Sequence, residues 1–171
     1  STGSEHNLLS GGPEHTARVL LPHPVINNDE LAKFEHMSPK RFAGLRSAQS
    51  PTKVLRGLYR PGGGGVNLAR RIEELCTAAS RAVAAGAQFI IVSDRDSNAE
   101  FAPIPSLLLT SAVHQHLIRE RTRTRVSIIV EAGDVREVHH VATLIAFGAS
   151  AVNPYLAMES AEYMVRQGRL P

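Results

Sequence analysis

Between residues 54 and 153 the chain repeats one grammar: a short apolar run, a polar or glycine-bearing turn, then a stretch whose apolar positions recur every three or four residues. The apolar runs are residues 54–59, 88–93, 126–131 and 151–153. Over residues 67–85, Leu68, Ile72, Leu75, Cys76, Ala79, Ala82 and Val83 share one stripe, while Arg70, Arg71, Glu73, Glu74 and Arg81 take other faces. Gly86 follows, where helix ends favour glycine. A second helix is predicted from Ile104-Pro105 through Leu108, Ala112, Val113 and Leu117 to about Glu120. A third spans Val138, Val141, Ala142 and Ile145 and stops at Gly148, and a last covers residues 158–167. Parallel neighbours need a long crossover, usually a helix, so the alternation predicts an α/β fold. Its expected form is four consecutive βα units building a parallel sheet, like half of a TIM-like barrel.

The first fifty residues follow another rule. Gly11-Gly12-Pro13, Pro22, Pro24, Asn27-Asn28 and Pro39 interrupt any long periodicity, which predicts an irregular N-terminal arm over residues 1–50 before the βα-repeat part at 51–171. Within the arm, Asn28 or Asp29 is placed to cap one short helix over residues 30–34. Residues 18–21 read as a short strand or an extended lead-in.

Composition narrows the function classes. With 171 residues and 43% hydrophobic, the chain can bury one core. Its net charge is +3 and its pI near 9.4, but acidic and basic residues are interspersed. Five Phe, three Tyr and no Trp give few platforms for stacking bases, so nucleic acid is not an expected partner. One cysteine excludes an internal disulfide and a cysteine-ligated zinc or iron–sulfur site, and suits a reducing, cytoplasmic setting. No apolar run reaches the roughly 18 to 20 residues that span a bilayer, so no membrane role is expected. The N-terminus lacks a signal-peptide layout and an initiator Met, and the chain reads as an excised or processed fragment.

Parallel βα sheets gather their functional groups just past the strand ends. Here those positions hold Asp94-Arg95, Glu131-Ala132-Gly133-Asp134 and Asn153-Pro154-Tyr155. In an autonomous enzyme, Glu131 with Asp94 would be the acid/base pair. Structural pairing and docking are the competing role for Asp94, Arg95 and Glu131, since buried carboxylates need partners whatever they do. Asn153 and Tyr155 would order the last loop. Other clusters are less specific. The run Arg60-Pro61-Gly62-Gly63-Gly64-Gly65 stands before a helix start and could present N–H groups to a phosphate, but lacks the Lys-Ser/Thr of a P-loop. His114, His116, His139 and His140 have spacings that aim their side chains apart, which favours hydrogen-bonded histidines over a metal set. Cys76 reads as a small buried hydrophobe. The arginine-rich run at 119–125 reads as a solvated turn or domain contact.

The wording of several motifs goes further than their rhythm. Ile90-Ile91-Val92-Ser93-Asp94-Arg95, Ala102-Pro103-Ile104-Pro105-Ser106-Leu107-Leu108 and Ala112-Val113-His114-Gln115-His116-Leu117-Ile118-Arg119 follow one another in order. Next come Thr122-Arg123-Thr124-Arg125-Val126, Val130-Glu131-Ala132-Gly133-Asp134-Val135-Arg136-Glu137-Val138-His139-His140, and Ala151-Val152-Asn153-Pro154-Tyr155-Leu156-Ala157. Upstream stand Asn7-Leu8-Leu9, Pro13-Glu14-His15 and Pro24-Val25-Ile26-Asn27-Asn28-Asp29-Glu30-Leu31. Together they resemble the central domain of the glutamate synthase large subunit, over essentially the whole chain.

That resemblance implies a part of an oxidoreductase of ammonia assimilation and glutamate biosynthesis, which makes two glutamates from glutamine and 2-oxoglutarate. It implies a parent using FMN and an iron–sulfur cluster, fed by NAD(P)H, through a small subunit, or by ferredoxin. It also implies amidotransferase and FMN-binding domains in the same parent chain, joined by a central domain that helps wall an ammonia tunnel. The chain departs from the whole protein in having no N-terminal cysteine nucleophile, no cluster-binding cysteine set and no FMN-barrel sequence after Pro171. No catalytic, cofactor or metal residue carries over, and the chain by itself is expected to be inactive. Asp94, Arg95, Glu131, Asn153 and Tyr155 become docking or tunnel-face candidates. The rival from another class is an autonomous βα enzyme, or binding module, for a phosphorylated small molecule held by residues 62–65. A half-barrel with open edges is also expected to be marginal or to self-associate.

Overall fold

Each strand of the central sheet places apolar side chains on both faces, and two different parts of the chain cover those faces. The computed structural model describes Thr2 and residues 19–37, 51–63 and 65–170. The elements run α1 (Asn28–Glu35), β1 (Thr52–Arg56), β2 (Leu58–Tyr59), α2 (Val66–Ala84), β3 (Phe89–Ser93) and β4 (Ala102–Pro103). They continue as α3 (Ser106–Arg119), a 3-10 turn at Arg123–Arg125, β5 (Ser127–Glu131), α4 (Val138–Ala146), β6 (Ala151–Asn153) and α5 (Tyr155–Arg166). The motifs at 7–9 and 13–15, the turn at 11–13, Pro39 and Gly64 lie outside the described residues.

β1, β3, β5 and β6 form one parallel sheet in that order, with Leu55 opposite Val92, Val92 opposite Val130, and Val130 opposite Val152. Each strand neighbours its predecessor, so the winding never reverses and the crossover helices share one face, as they do around a barrel. Period two then sorts the side chains. Leu55, Ile90, Val92, Ile128, Val130 and Val152 pack with Leu75, Ala79, Val83, Leu109, Val113, Leu117 and Leu144 of α2, α3 and α4. Phe89, Ile91, Ile129 and Ala151 point to the other face and meet Ile26, Leu31 and Phe34. The architecture is therefore the expected α/β half-barrel of four βα units.

The expected strand at 54–59 is two strands. Gly57 leaves the main sheet: its N–H donates to the Ser93 carbonyl at 2.7 Å, and its own carbonyl accepts from the Ile104 N–H at 2.8 Å. The chain thereby turns into β2, which pairs antiparallel with β4, a strand that no periodicity marked. α5 starts at Tyr155, three residues before its expected start, with Pro154 at its cap position.

The described part of the arm is more ordered than its punctuation suggests. α1 is capped by Asn27, one residue before the expected candidates, through a reciprocal capping box: the Glu30 N–H donates to Asn27 Oδ1 at 2.8 Å and the Asn27 N–H to Glu30 Oε2 at 2.9 Å. Just before it, the Ile26 N–H donates to the Val152 carbonyl and the Val152 N–H to the Pro24 carbonyl, at 2.9 and 2.8 Å. Residues 24–26 thus lie parallel to β6 along its outer edge, with Val25 bridged to Val152. Val19 makes an antiparallel bridge with Thr2, in keeping with an extended lead-in. No helix among the described residues is long and apolar enough to cross a membrane.

Candidate functional site

The C-terminal ends of β3, β5 and β6 deliver Asp94, Arg95, Glu131 and Asn153 to one place, and the first turn of α5 adds Tyr155. Parallel register does this: Ser93 stands opposite Glu131, and Glu131 opposite Asn153. All five sequence candidates belong to this cluster.

Glu131 is buried and fully engaged. Its carboxylate accepts the Ser93 hydroxyl at 2.5 Å, the Arg95 Nε–H, and the approach of Arg56 Nη1 at 3.5 Å. Arg56 also donates to Ser93 Oγ at 2.6 Å. Arg95 extends the chain of bonds: its Nη2 donates to Glu159 Oε1 at 3.0 Å, and its guanidinium lies 3.9 Å from the centre of the Tyr155 ring. Burial alone would lower the Arg95 pKa, but its bonds to Glu131 and Glu159 and their charges outweigh burial and raise it. Glu159 in turn accepts from Asn28 Nδ2 at 3.1 Å, and Asn28 Oδ1 accepts from Asn153 Nδ2 at 3.1 Å. Asn153 also donates to the Ile26 carbonyl at 2.9 Å.

Asp94 takes a different set of partners from its neighbour. The two do not pair with each other; the Asp94 carboxylate accepts the Gly133 N–H at 2.9 and 3.0 Å and bonds the Tyr155 hydroxyl. Burial pushes the Asp94 pKa up, these two donors oppose the shift, and the charges of Asp134 and Glu131 add to it. Tyr155 is pushed up to about 12, first by burial and then by the Asp94 charge and hydrogen bond. Gly133 is required by close approach: a Cβ there would lie 2.8 Å from the Tyr155 hydroxyl oxygen. Beside this cluster, Asp134 caps α3, accepting from the Ser106 N–H at 3.0 Å and its hydroxyl at 2.6 Å.

Sequence reasoning missed Arg56, Ser93, Glu159 and Asn28. Glu159 carried a usable signal, since it lies four residues after Tyr155 and so on the same helical face. Asn28 did not, because only the fold brings residue 28 to residue 153.

The other candidates are dispersed. His114 Nδ1 accepts from Arg123 Nε at 2.8 Å, His116 Nε2 lies 2.8 Å from the Ser80 hydroxyl, and His140 Nδ1 accepts from the Arg136 N–H at 3.1 Å. Among the described residues no three of His, Cys, Asp and Glu come together as a metal-holding group. From the arginine-rich run, Arg123 is structural, donating also to the carbonyls of Val126 and Gly148 at 2.7 Å. Cys76 is buried in the apolar core, and burial raises its thiol pKa. With that single thiol the residues do not fit an iron–sulfur cluster. Arg95 is held by two carboxylates and a ring and does not stand free for a flavin phosphate.

What the arrangement can do chemically is therefore limited. Of its two buried acids, Glu131 is held by Ser93, Arg95 and Arg56, and Asp94 by the Gly133 N–H and the Tyr155 hydroxyl, while Glu159 pairs with Arg95, so the network ties the arm, four strands and α5 into one strand-end surface. Such a fold and site define a parallel βα segment with a polar strand-end face. The sequence profile of the family described as "Glutamate synthase central domain" matches residues 1–171. The chain is 37% identical over 171 residues to the large chain of glutamate synthase [NADPH] of Bacillus subtilis, covering 98% of this chain and 10% of that protein. It is 33% identical over 168 residues to glutamate synthase [NADH] of Schizosaccharomyces pombe, covering 98% and 8%, and 34% identical over 180 residues to the chloroplastic ferredoxin-dependent glutamate synthase of Spinacia oleracea, covering 99% and 10%. The chain belongs to the glutamate synthase central domain family. It spans about a tenth of the length of the curated relatives it matches.

Proposed function

We propose that this chain is the non-catalytic connecting segment of a glutamate synthase, and that its strand-end face docks against neighbouring domains and helps line the passage for ammonia between them. The parent would convert glutamine and 2-oxoglutarate to two glutamates in ammonia assimilation. The similar proteins are named for NADPH, NADH and ferredoxin, so the electron donor of this parent is left open among them. FMN and the iron–sulfur cluster would belong to other parts of the polypeptide, as would the amidotransferase nucleophile. A reducing cytoplasmic setting suits the single buried thiol.

The observation that supports this reading best is the engagement of Glu131. A general acid or base must be free to reach a substrate proton, whereas Glu131 is 3% exposed and bonded to Ser93 and Arg95. Titration of the chain with FMN tests it: no saturable complex is expected, and a stoichiometric yellow complex would overturn the non-catalytic role. Co-purification with separately expressed amidotransferase and FMN-binding parts tests docking, where binding weakened by Arg95→Glu is expected and no binding at all would remove the docking role.

A further inference from the structure

A second polar surface adjoins the strand-end cluster, with Arg56 common to both. Where β2, the first turns of α2 and Phe101 meet, a cleft of about 480 Å³ is lined by Arg56, Tyr59, Arg60, Arg70, Arg71 and Phe101. That is the size range of small-molecule sites. Glu74 is the one acidic side chain among its described walls. The arginines differ in how firmly they are held: Arg60 pairs with Glu100 at 3.0 Å on the surface, whereas Arg71 is anchored to the carbonyls of Leu58 and Arg56 at 3.0 and 3.3 Å and to Glu74 at 3.0 Å, and Arg56 belongs to the strand-end network. Arg70 is exposed and bonds the neutral Asn67 Oδ1 at 3.1 Å.

The backbone adds to the positive character. α2 opens at Gly65 with no side-chain cap and no acid in its first turn, although acids are what helix starts usually collect. Asn67, which could have capped a neighbour, turns its Nδ2 back to the Gly62 carbonyl at 2.9 Å. The N-terminal end of a 19-residue helix therefore forms one wall beside Arg70 and Arg71. The other wall is aromatic, with the Arg60 guanidinium 5.0 Å from the centre of the Phe101 ring and Tyr59 alongside.

We propose that this cleft binds a small phosphorylated molecule, its phosphate seated against Arg70 and the first turn of α2 and a planar body resting against Tyr59 and Phe101. Arginine forks and helix N–H groups match the oxygens of a phosphate, and an aromatic wall suits a ring attached to it. No chemistry is assigned to the cleft, because no described acid stands free there to act as a base.

The test is a titration of the ¹⁵N-labelled chain with inorganic phosphate and with adenosine monophosphate at constant ionic strength, read from amide and arginine Nε signals. Saturable shifts at Tyr59, Val66, Asn67, Arg70 and Phe101 are expected, with the monophosphate binding more tightly than phosphate. Arg70→Glu should weaken both by about tenfold or more while leaving the thermal midpoint unchanged, because the side chain is exposed. Asn67→Asp, which places a capping carboxylate at the same helix end, should weaken phosphate in the same direction. Shifts reproduced by sodium chloride, shifts unaffected by Arg70→Glu, or no saturation in the millimolar range would each overturn the proposal. So would an acidic peptide that displaces phosphate and binds more tightly, since the cleft would then be a protein-docking surface.

Discussion

Arg95 lies with its guanidinium 3.9 Å from the centre of the Tyr155 ring, and that stacking joins two hydrogen-bond systems that otherwise share no side chain. One runs from Arg56 through Ser93 and Glu131 to Glu159, Asn28 and Asn153; the other holds Asp94, Tyr155 and Gly133. Removing Arg95 leaves a buried Glu131 short of its main cation. Arg95→Ala is expected to lower unfolding free energy by about 2–4 kcal/mol, discounted because Arg95 is partly exposed. Arg95→Lys should restore less than half of that, since an ammonium cannot serve two carboxylates and a ring at once. Urea unfolding measures both, and a full rescue by lysine would contradict the stacking role.

Gly133 fits because it has no side chain. In Gly133→Ala the new methyl meets the Tyr155 hydroxyl oxygen at 2.8 Å, forcing the ring to move and weakening its bond to Asp94. The expected cost is about 1–3 kcal/mol. Tyr155→Phe removes the colliding oxygen, so the double variant should lose less than the sum of the two single losses. Strict additivity in the cycle would count against the contact.

The Tyr155 phenol should ionise only at about 12, well above its ordinary value, for its burial and the Asp94 carboxylate both oppose the anion. Its folded pKa is raised, so the stabilising contribution is complete below the unfolded pKa of 10 and is lost as pH climbs from there through about 12. Ultraviolet titration near the tyrosinate band, comparing the chain with Tyr155→Phe, isolates the late step. Asp94→Asn should bring that step to lower pH.

His114 works in the opposite direction. Burial and the Arg123 charge lower its pKa below 6.5, so the folded state prefers the neutral ring that accepts the Arg123 Nε–H. Stability is present above the unfolded pKa and declines as pH falls through and below about 6.5, where the unfolded chain gains a proton first. Thermal midpoints from pH 7.5 to 5 should fall less steeply in His114→Gln. The same ring presses on Gly148, whose φ of +110° already requires glycine and whose added Cβ would lie 2.2 Å from His114 Nδ1.

Phe34 meets Phe89 edge to face, with ring centres 5.1 Å apart, on the side of the sheet that α2, α3 and α4 do not cover. Phe34→Ala is expected to cost about 3–5 kcal/mol. Phe34→Asp should bare Ile91, Ile129 and Ala151 and promote self-association in sedimentation experiments. A monomer unchanged by that substitution would show that the face is covered in some other way.

The helical stripes and apolar strand runs were legible because local patterning and burial agree there: Leu75, Ala79 and Val83 lie on the inner face that their spacing assigned. The strand-end residues were legible as a set, since parallel register carries the ends of β3, β5 and β6 to one edge. Their partners were not. Asp94 and Arg95 are neighbours in sequence, yet the first turns toward Gly133 and the second toward Glu131, a choice made by alternation and by residues about 40 positions away. The break at Gly57 was hidden because apolar residues continue on both sides of it, and Ala102-Pro103 is too short to show a period. The role of residues 24–26 was masked by proline, which is harmless at Pro24 because the ladder there uses its carbonyl and asks nothing of its nitrogen.

Residues 24–26 occupy the free edge of β6, and α1 fills the hollow that a full barrel would keep for its own inward side chains. The chain's beginning thus acts as a stopper on its last strand. A further strand could pair with β6 only after displacing residues 24–26. The arm therefore decides whether the β6 edge of this half-barrel is closed or stands as an open template.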